Sequence, residues 1–162
     1  VRSQVVEPVL ERLSRWIRHR GVGIRWDWNG KAVVYGDSDL LGICYGNLIV
    51  NALKYGKEWI RFSARPEAGG GRWVLGVANG GPPIPREKID LLFRKFSRLV
   101  NSDDGAGLGL YLVREIIHRH GGEVWCESDE EEGTRFLMRL PARPPTTAPP
   151  EACPPPAAER RR

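Results

Sequence analysis

Cysteine is scarce in this sequence. Cys44, Cys126 and Cys153 are the three present, and they form neither a CxxC pair nor part of a His/Cys cluster. That excludes a zinc finger and a disulfide framework and leaves buried or idle thiols. Long apolar runs are missing as well: no stretch approaches the roughly 20 residues that cross a bilayer. Charge interrupts VRSQVVEPVLERLSRW wherever a signal-peptide core would need to be continuous. The reading is a cytoplasmic domain, tied to a membrane only through parts outside this sequence. The positive excess is small, +5 over the chain, of which +2 belongs to the stretch from Ala142 onward. The remaining +3 builds no basic stripe, so nucleic acid is disfavoured as a partner, while the balance suits an anionic ligand. No GxxxxGK[ST] occurs, so there is no P-loop, and no internal repeat is visible.

What is there is ordinary for a globular domain. Hydrophobic residues make up 41% and charged residues 28% of 162, enough for one core. Residues 1–141 read as that domain. Residues 142–162 read as a Pro-rich disordered tail, since PARPPTTAPPEACPPPAAERRR holds eight of the thirteen prolines and no periodic apolar residues.

Periodicity places the elements. Val6, Val9, Leu10, Leu13, Trp16 and Ile17 make a helical stripe between Val5 and His19. Ile24, Trp26 and Trp28 alternate with polar residues, and Ala32 to Tyr35 follows an Asn29-Gly30 turn, the pattern of a hairpin. Asp37 is a suitable N-cap for a helix reaching Tyr55. Strands follow at Ile60 to Arg65 and Trp73 to Ala78, joined by a triple-glycine turn. Pro85 and Glu87 open a short helix ending near Phe96. Leu108 to His120 is a further helix, closed by Gly121-Gly122, with His118 and His120 at the end where cations suit the dipole. Strands at Glu123 to Ser128 and Arg135 to Leu140 finish the body. The expected fold is a two-layer α/β sandwich: a mixed, mostly antiparallel sheet of about five to six strands with about three helices on one face.

Three features carry chemistry. Asn47, Asn51, Lys54 and Tyr55 share one stripe of an otherwise apolar helix. Two amides on such a helix need partners, because each left unpaired costs about 1–3 kcal/mol. Either they face a polar ligand or they bond neighbouring backbone. Gly105, Gly107 and Gly109 alternate just before an apolar helix, where backbone N–H groups can approach an anion; a flexible hinge is the plainer alternative. VANGGPPIP (Val77 to Pro85) ends a strand at Asn79 and turns, forming either a pocket floor or a simple turn.

Taken in order, these segments resemble the N, G1, F and G2 boxes of the sensor histidine kinase ATP-binding domain, a fold shared with type II topoisomerases, Hsp90 chaperones and mismatch-repair ATPases. The boxes are Asn47, Asn51, Ala52, Lys54 and Tyr55; Asn79, Gly81 and Pro82 to Pro85; Leu92 to Phe96; and Gly105 to Leu110. REIIHRHGGEVWCES and GTRFLMRLP are also similar to the ends of such domains. The resemblance covers roughly Val5 to Pro141.

It implies ATP and Mg²⁺ as cofactors, with Asn51 giving its side-chain oxygen to the metal. It implies that Asn47 orients the γ-phosphate region and that Lys54 neutralises phosphate charge. The nucleotide would further meet Tyr55, Asn79, Gly81, Ile84, Phe96, Arg98, Gly105, Gly107, Leu108, Gly109 and Thr134, with Lys95 as another basic reach and Ser97 to Asp104 as a short lid. Asn79 stands where the family usually has Asp. Its amide oxygen accepts the adenine amino protons without charge assistance, which retains selectivity and lowers affinity. Pro83 replaces a glycine and stiffens the turn.

The implied activity is transfer of the ATP γ-phosphoryl group to a histidine on a separate helical dimerisation domain, with relay to a response regulator; the isolated domain would be a monomer. None of His19, His118 and His120 stands in a phosphoacceptor pattern. A serine kinase of the anti-sigma-factor type and a non-catalytic nucleotide-sensing module are the alternatives on the same fold.

Overall fold

The structure is a computed structural model, and it describes residues 1–96 and 107–143. A wide helical turn, Arg2–Val6, leads into α1 (Glu7–Arg20), followed by β1 (Gly23–Asp27), α2 (Ser38–Tyr55), β2 (Lys57–Pro66) and β3 (Arg72–Gly80). Then come the single turn α3 (Arg86–Ile89), α4 (Gly109–Arg119), β4 (Glu123–Asp129) and β5 (Gly133–Pro141). Among the described residues the sheet has five strands, in the order β1-β2-β3-β5-β4. Only the β1–β2 pair is parallel. The expected two-layer α/β sandwich is therefore present.

Strand alternation divides the sheet into two unlike faces. Ile60, Phe62, Leu75, Val77, Phe136 and Met138 point into the core and are buried. There they meet Leu41, Cys44, Tyr45, Leu48, Ile49 and Leu53 of α2 and Val113, Ile116 and Ile117 of α4. α2 lies on β2 and β3, α4 on α2 and β4, and α1 on α2. Burial pushes the Cys44 and Cys126 thiols up to about 12, with the Glu127 carboxylate adding to the effect at Cys126.

The opposite face carries Arg61, Ser63, Arg65, Arg135, Arg139, Trp125 and Glu127, paired across strands by register. Arg135 bridges Asp129 at 3.1 Å and Glu127 at 3.2 Å, and Arg139 bridges Glu123 at 2.9 Å and Glu67 at 3.0 Å.

Two local readings are corrected. The expected hairpin between Ile24 and Tyr35 does not form. Asn29-Gly30 does turn, with Gly30 at φ +82° and Asn29 Oδ1 accepting from Lys31 N–H at 3.1 Å. But β1 pairs with β2, matching Ile24 to Ile60 and Trp26 to Phe62. A parallel pair needs a crossover, and α2 supplies it. Ala32 to Tyr35 is not a strand; it runs across the core with Ala32 buried, and its Tyr35 N–H donates to Pro141 O at 2.7 Å. The helix expected from Pro85 to Phe96 shrinks to α3. Beyond it, three-residue turns (Leu91 to Lys88, Leu92 to Ile89, Arg94 to Leu91) replace helical bonds, and they seat Leu92 and Phe93 in the core, with Phe93 edge-on to Phe136.

Candidate functional site

α2 starts as its sequence suggests. Asp37 Oδ1 accepts from the N–H groups of Asp39 at 2.8 Å and Leu40 at 3.0 Å. Those bonds hold its carboxyl below the usual carboxylate range. The helix is then buried along most of its length, leaving Asn47, Asn51 and Lys54 half-buried on one stripe and Tyr55 exposed at its end.

The Asn47 amide splits its two ends. Nδ2 donates to Ile43 O one turn back at 2.9 Å. The oxygen faces α4, so close that a Cβ on Gly109 would stand 2.6 Å from it. The backbone-bonding and ligand-facing readings of this asparagine therefore both describe part of it. Gly107, at φ +67°, delivers the chain into α4, and Leu108 beside it is partly exposed. The glycine turn, the N-terminus of α4 and the Asn47–Asn51 stripe thus come together. Lys95 Nζ lies 5.0 Å over the Tyr111 ring, which brings the end of the Leu92–Phe96 segment to the same helix start. Phe96 is exposed and left-handed at φ +58°. Arg98, Gly105 and the Ser97 to Asp104 segment lie outside the described residues.

The second half of the site gathers around Asn79, which is buried at the end of β3. Its Nδ2 donates to Gly80 O at 3.1 Å. Asn79 pairs with Thr134 across β3–β5. Thr134 Oγ1 is 2.8 Å from Ser128 Oγ, which in turn accepts from Ile84 N–H at 2.9 Å. This short polar chain fixes the turn after β3 against the β4–β5 hairpin. Three glycines make the packing around Asn79 possible. A Cβ on Gly56 would stand 2.9 Å from the Asn79 side chain, and one on Gly133 2.3 Å from its carbonyl oxygen. A Cβ on Gly81, at φ +150°, would stand 3.1 Å from Tyr55 O, tying this turn to the end of α2.

Gly56, Gly133 and Ser128 are absent from the sequence-derived set. Gly56 follows a helix and Gly133 follows an acidic turn, so both read as local punctuation; their contacts with Asn79 are long-range.

A divalent ion finds no cage of side chains here. No group of three or more His, Cys, Asp or Glu that could hold one occurs among the described residues. Asn51, half-buried on the polar stripe, carries the kind of neutral oxygen that suits Mg²⁺, an ion that retains waters and takes most of its ligands from phosphates.

A glycine turn feeding a helix start, laid against a polar stripe on a buried crossover helix, is the arrangement of an ATPase-type domain. Residues 36–144 match the family described as histidine kinase-, DNA gyrase B-, and HSP90-like ATPase, and the chain belongs to it.

Within that family its relatives include sensor kinases. It is 44% identical over 100 residues to sensor histidine kinase GtrS of Pseudomonas aeruginosa, covering 60% of this chain and 20% of that protein. It is 32% identical over 146 residues to sensor protein CutS of Streptomyces coelicolor, covering 86% of this chain and 34% of that protein. The chain thus spans a fifth to a third of these relatives. Among solved structures, the catalytic domain of histidine kinase ThkA superposes with a TM-score of 0.76 at 27% identity, covering 88% and 93% of the two chains. Full-length ShkA in complex with AMPPNP gives 0.71 at 26%, covering 83% and 28%. ThkA in complex with response regulator protein TrrA gives 0.71 at 25%, covering 88% and 40%. The chain is a catalytic domain of the histidine kinase kind.

Proposed function

We propose that this domain binds Mg-ATP between α2, the turn after Asn79 and the glycine turn before α4, and donates the γ-phosphoryl group to a histidine on a separate helical domain, for relay to a response regulator. The observation that carries it is the seat of Gly109 against the Asn47 oxygen, one helical turn from Asn51.

In this reading Asn51 gives its amide oxygen to Mg²⁺, and Lys54 neutralises phosphate charge. Gly107, Leu108 and Gly109 present backbone to the phosphates at a helix start, and Gly105, Arg98 and Phe96 are assigned to nucleotide binding with them. Asn79, Gly81, Ile84, Thr134 and Tyr55 bound the base. Asn47 is an amide whose nitrogen is already held by Ile43 O, so it orients groups but is a poor base for water. Chemistry by positioning and charge stabilisation suits transfer to an acceptor better than hydrolysis.

No described histidine is placed to receive the group. Both ring nitrogens of His120 are engaged with backbone, and His19 and His118 are exposed at helix ends. Two structural neighbours fit this reading, ShkA in complex with AMPPNP and ThkA in complex with response regulator protein TrrA. Cytoplasmic placement, a monomeric isolated domain and a separate tail from residue 142 belong to the same proposal.

The test is titration with a fluorescent ATP analogue, with and without Mg²⁺, followed by incubation with labelled ATP and a phosphoacceptor domain in trans. Acid-labile label on that domain, with none on this chain alone, is the expected result. Acid-stable label on a partner serine indicates the anti-sigma-type kinase, and Mg-dependent binding without transfer indicates a sensing module. No binding at all would falsify the proposal.

A further inference from the structure

His120 stands one residue beyond α4, where a cationic side chain would suit the helix dipole. The structure shows a neutral ring doing something else. Nε2 accepts from the backbone N–H of Asp37 at 3.0 Å, while Nδ1 lies 2.7 Å from Ile116 O. A backbone N–H only donates and a carbonyl only accepts, so Nδ1 carries the proton and Nε2 the lone pair. The Asp37 it holds is the residue that caps α2.

The same two helices touch again further along, where Gly109 at the start of α4 meets Asn47 in the middle of α2. Between the two contacts α2 advances from Asp37 to Asn47 while α4 runs back from His120 to Gly109, so the pair is antiparallel. At ~1.5 Å per residue the two contacts lie about 15 Å apart. Between these points the helices pack through apolar side chains, and the two contacts fix how far one helix sits along the other. Gly36 confirms how closely the far contact is built, since a Cβ there would stand 2.7 Å from His120 Cδ2.

We propose that His120 is a positioning residue for the nucleotide site: by clamping the end of α4 to the start of α2, it sets where the Gly107–Gly109 turn lies against Asn47. The proposal deepens the nucleotide-binding reading, but its geometric part can be read without nucleotide.

The experiment compares His120→Ala, His120→Gln and Gly36→Ala with the unaltered chain. Gln keeps an acceptor at about the reach of Nε2; Gly36→Ala displaces the ring without removing it. The first readout is the NMR position of the Gly109 amide and the Asn47 side-chain amide in the absence of ligand. Both resonances are expected to shift in His120→Ala and Gly36→Ala and to return toward their original positions in His120→Gln. The second readout is Mg-ATP affinity, expected to fall about tenfold in the first two variants and to recover in the third. Unmoved resonances in folded His120→Ala and Gly36→Ala overturn the clamp. Absence of Mg-ATP binding by the unaltered chain overturns the nucleotide reading alone, leaving the resonances to decide the clamp.

Discussion

Asn47 and Asn51 show what one side chain can disclose and what it cannot. Their spacing of one helical turn on an apolar helix marks them from sequence alone. That Asn47 turns its nitrogen to Ile43 O and its oxygen to Gly109 depends on a helix sixty residues further on, which local periodicity does not see. Gly133 is hidden for the same reason, since it must lack a Cβ because Asn79 lies beside it in space, and at Gly56 Asn79 adds to the nearer constraint of Ala52 O. Two predictions belong here. Asn51→Ala should remove the Mg²⁺ dependence of nucleotide binding, measured by titration with and without metal; unchanged dependence would take that residue out of the role. Asn79→Asp should tighten ATP binding. A charged acceptor contributes ~1.5–3 kcal/mol against ~0.5–1.5 kcal/mol for a neutral one, so a gain of about 1 kcal/mol, roughly fivefold in Kd, is expected by calorimetry.

Among the elements, α2 was the most legible. A capping Asp, a long apolar run and a polar stripe agree with one another, and agreement across such signals is what specifies a helix. The failed hairpin shows the opposite case. Ile24 and Trp26 alternate as a strand should, but alternation says only which face is buried, not which strand lies alongside. β2, delivered by the α2 crossover, outcompetes the nearby Ala32 to Tyr35 segment. The cap itself is testable. Because the Asp37 pKa is depressed in the folded state, its stabilisation is present above the unfolded value of ~3.9 and is lost as pH falls through the folded one. Asp37→Ala should therefore melt below the unaltered protein at pH 7, with the gap closing on acidification. Asn caps about as well as Asp and carries no charge, so the gap between Asp37→Asn and Asp37→Ala should persist at low pH. A gap between Asp37→Ala and the unaltered protein that stayed the same on acidification would contradict the cap's assignment. In the core beneath, Phe62 is fully buried, and Phe62→Ala should lower unfolding free energy by ~3–5 kcal/mol in denaturant titration.

For the molecule as a whole, the two-layer plan follows from one asymmetry: the sheet has an apolar face that needs covering and a face of arginines, carboxylates and tryptophans that does not. The ion pairs on that second face are half-exposed, and pairs of that kind contribute little. Stability should accordingly rest on the helix-covered side. Raising salt to about 1 M, which contracts the screening length to ~3 Å, should change the melting temperature by only a few degrees; a large fall would mean that the charged face carries more than this account allows. β5 ends at Pro141, and Ala142 N–H still bonds Gly71 O at 2.9 Å. Truncation after Arg143 should leave melting and nucleotide affinity unchanged.

The sulfur of Cys44 gives this layering a practical use. It sits on the inner side of α2, three residues before Asn47, fully enclosed and with its thiol pushed up to about 12. It is the thiolate that attacks an alkylating reagent, so in the closed molecule this atom is nearly inert at neutral pH. Each labelling event then counts an opening of the helix from the sheet. The rate, followed by mass spectrometry of the peptide carrying Cys44, becomes a clock for that motion, and its slowing on addition of a ligand that bridges α2 and α4 would report binding with no fluorophore attached.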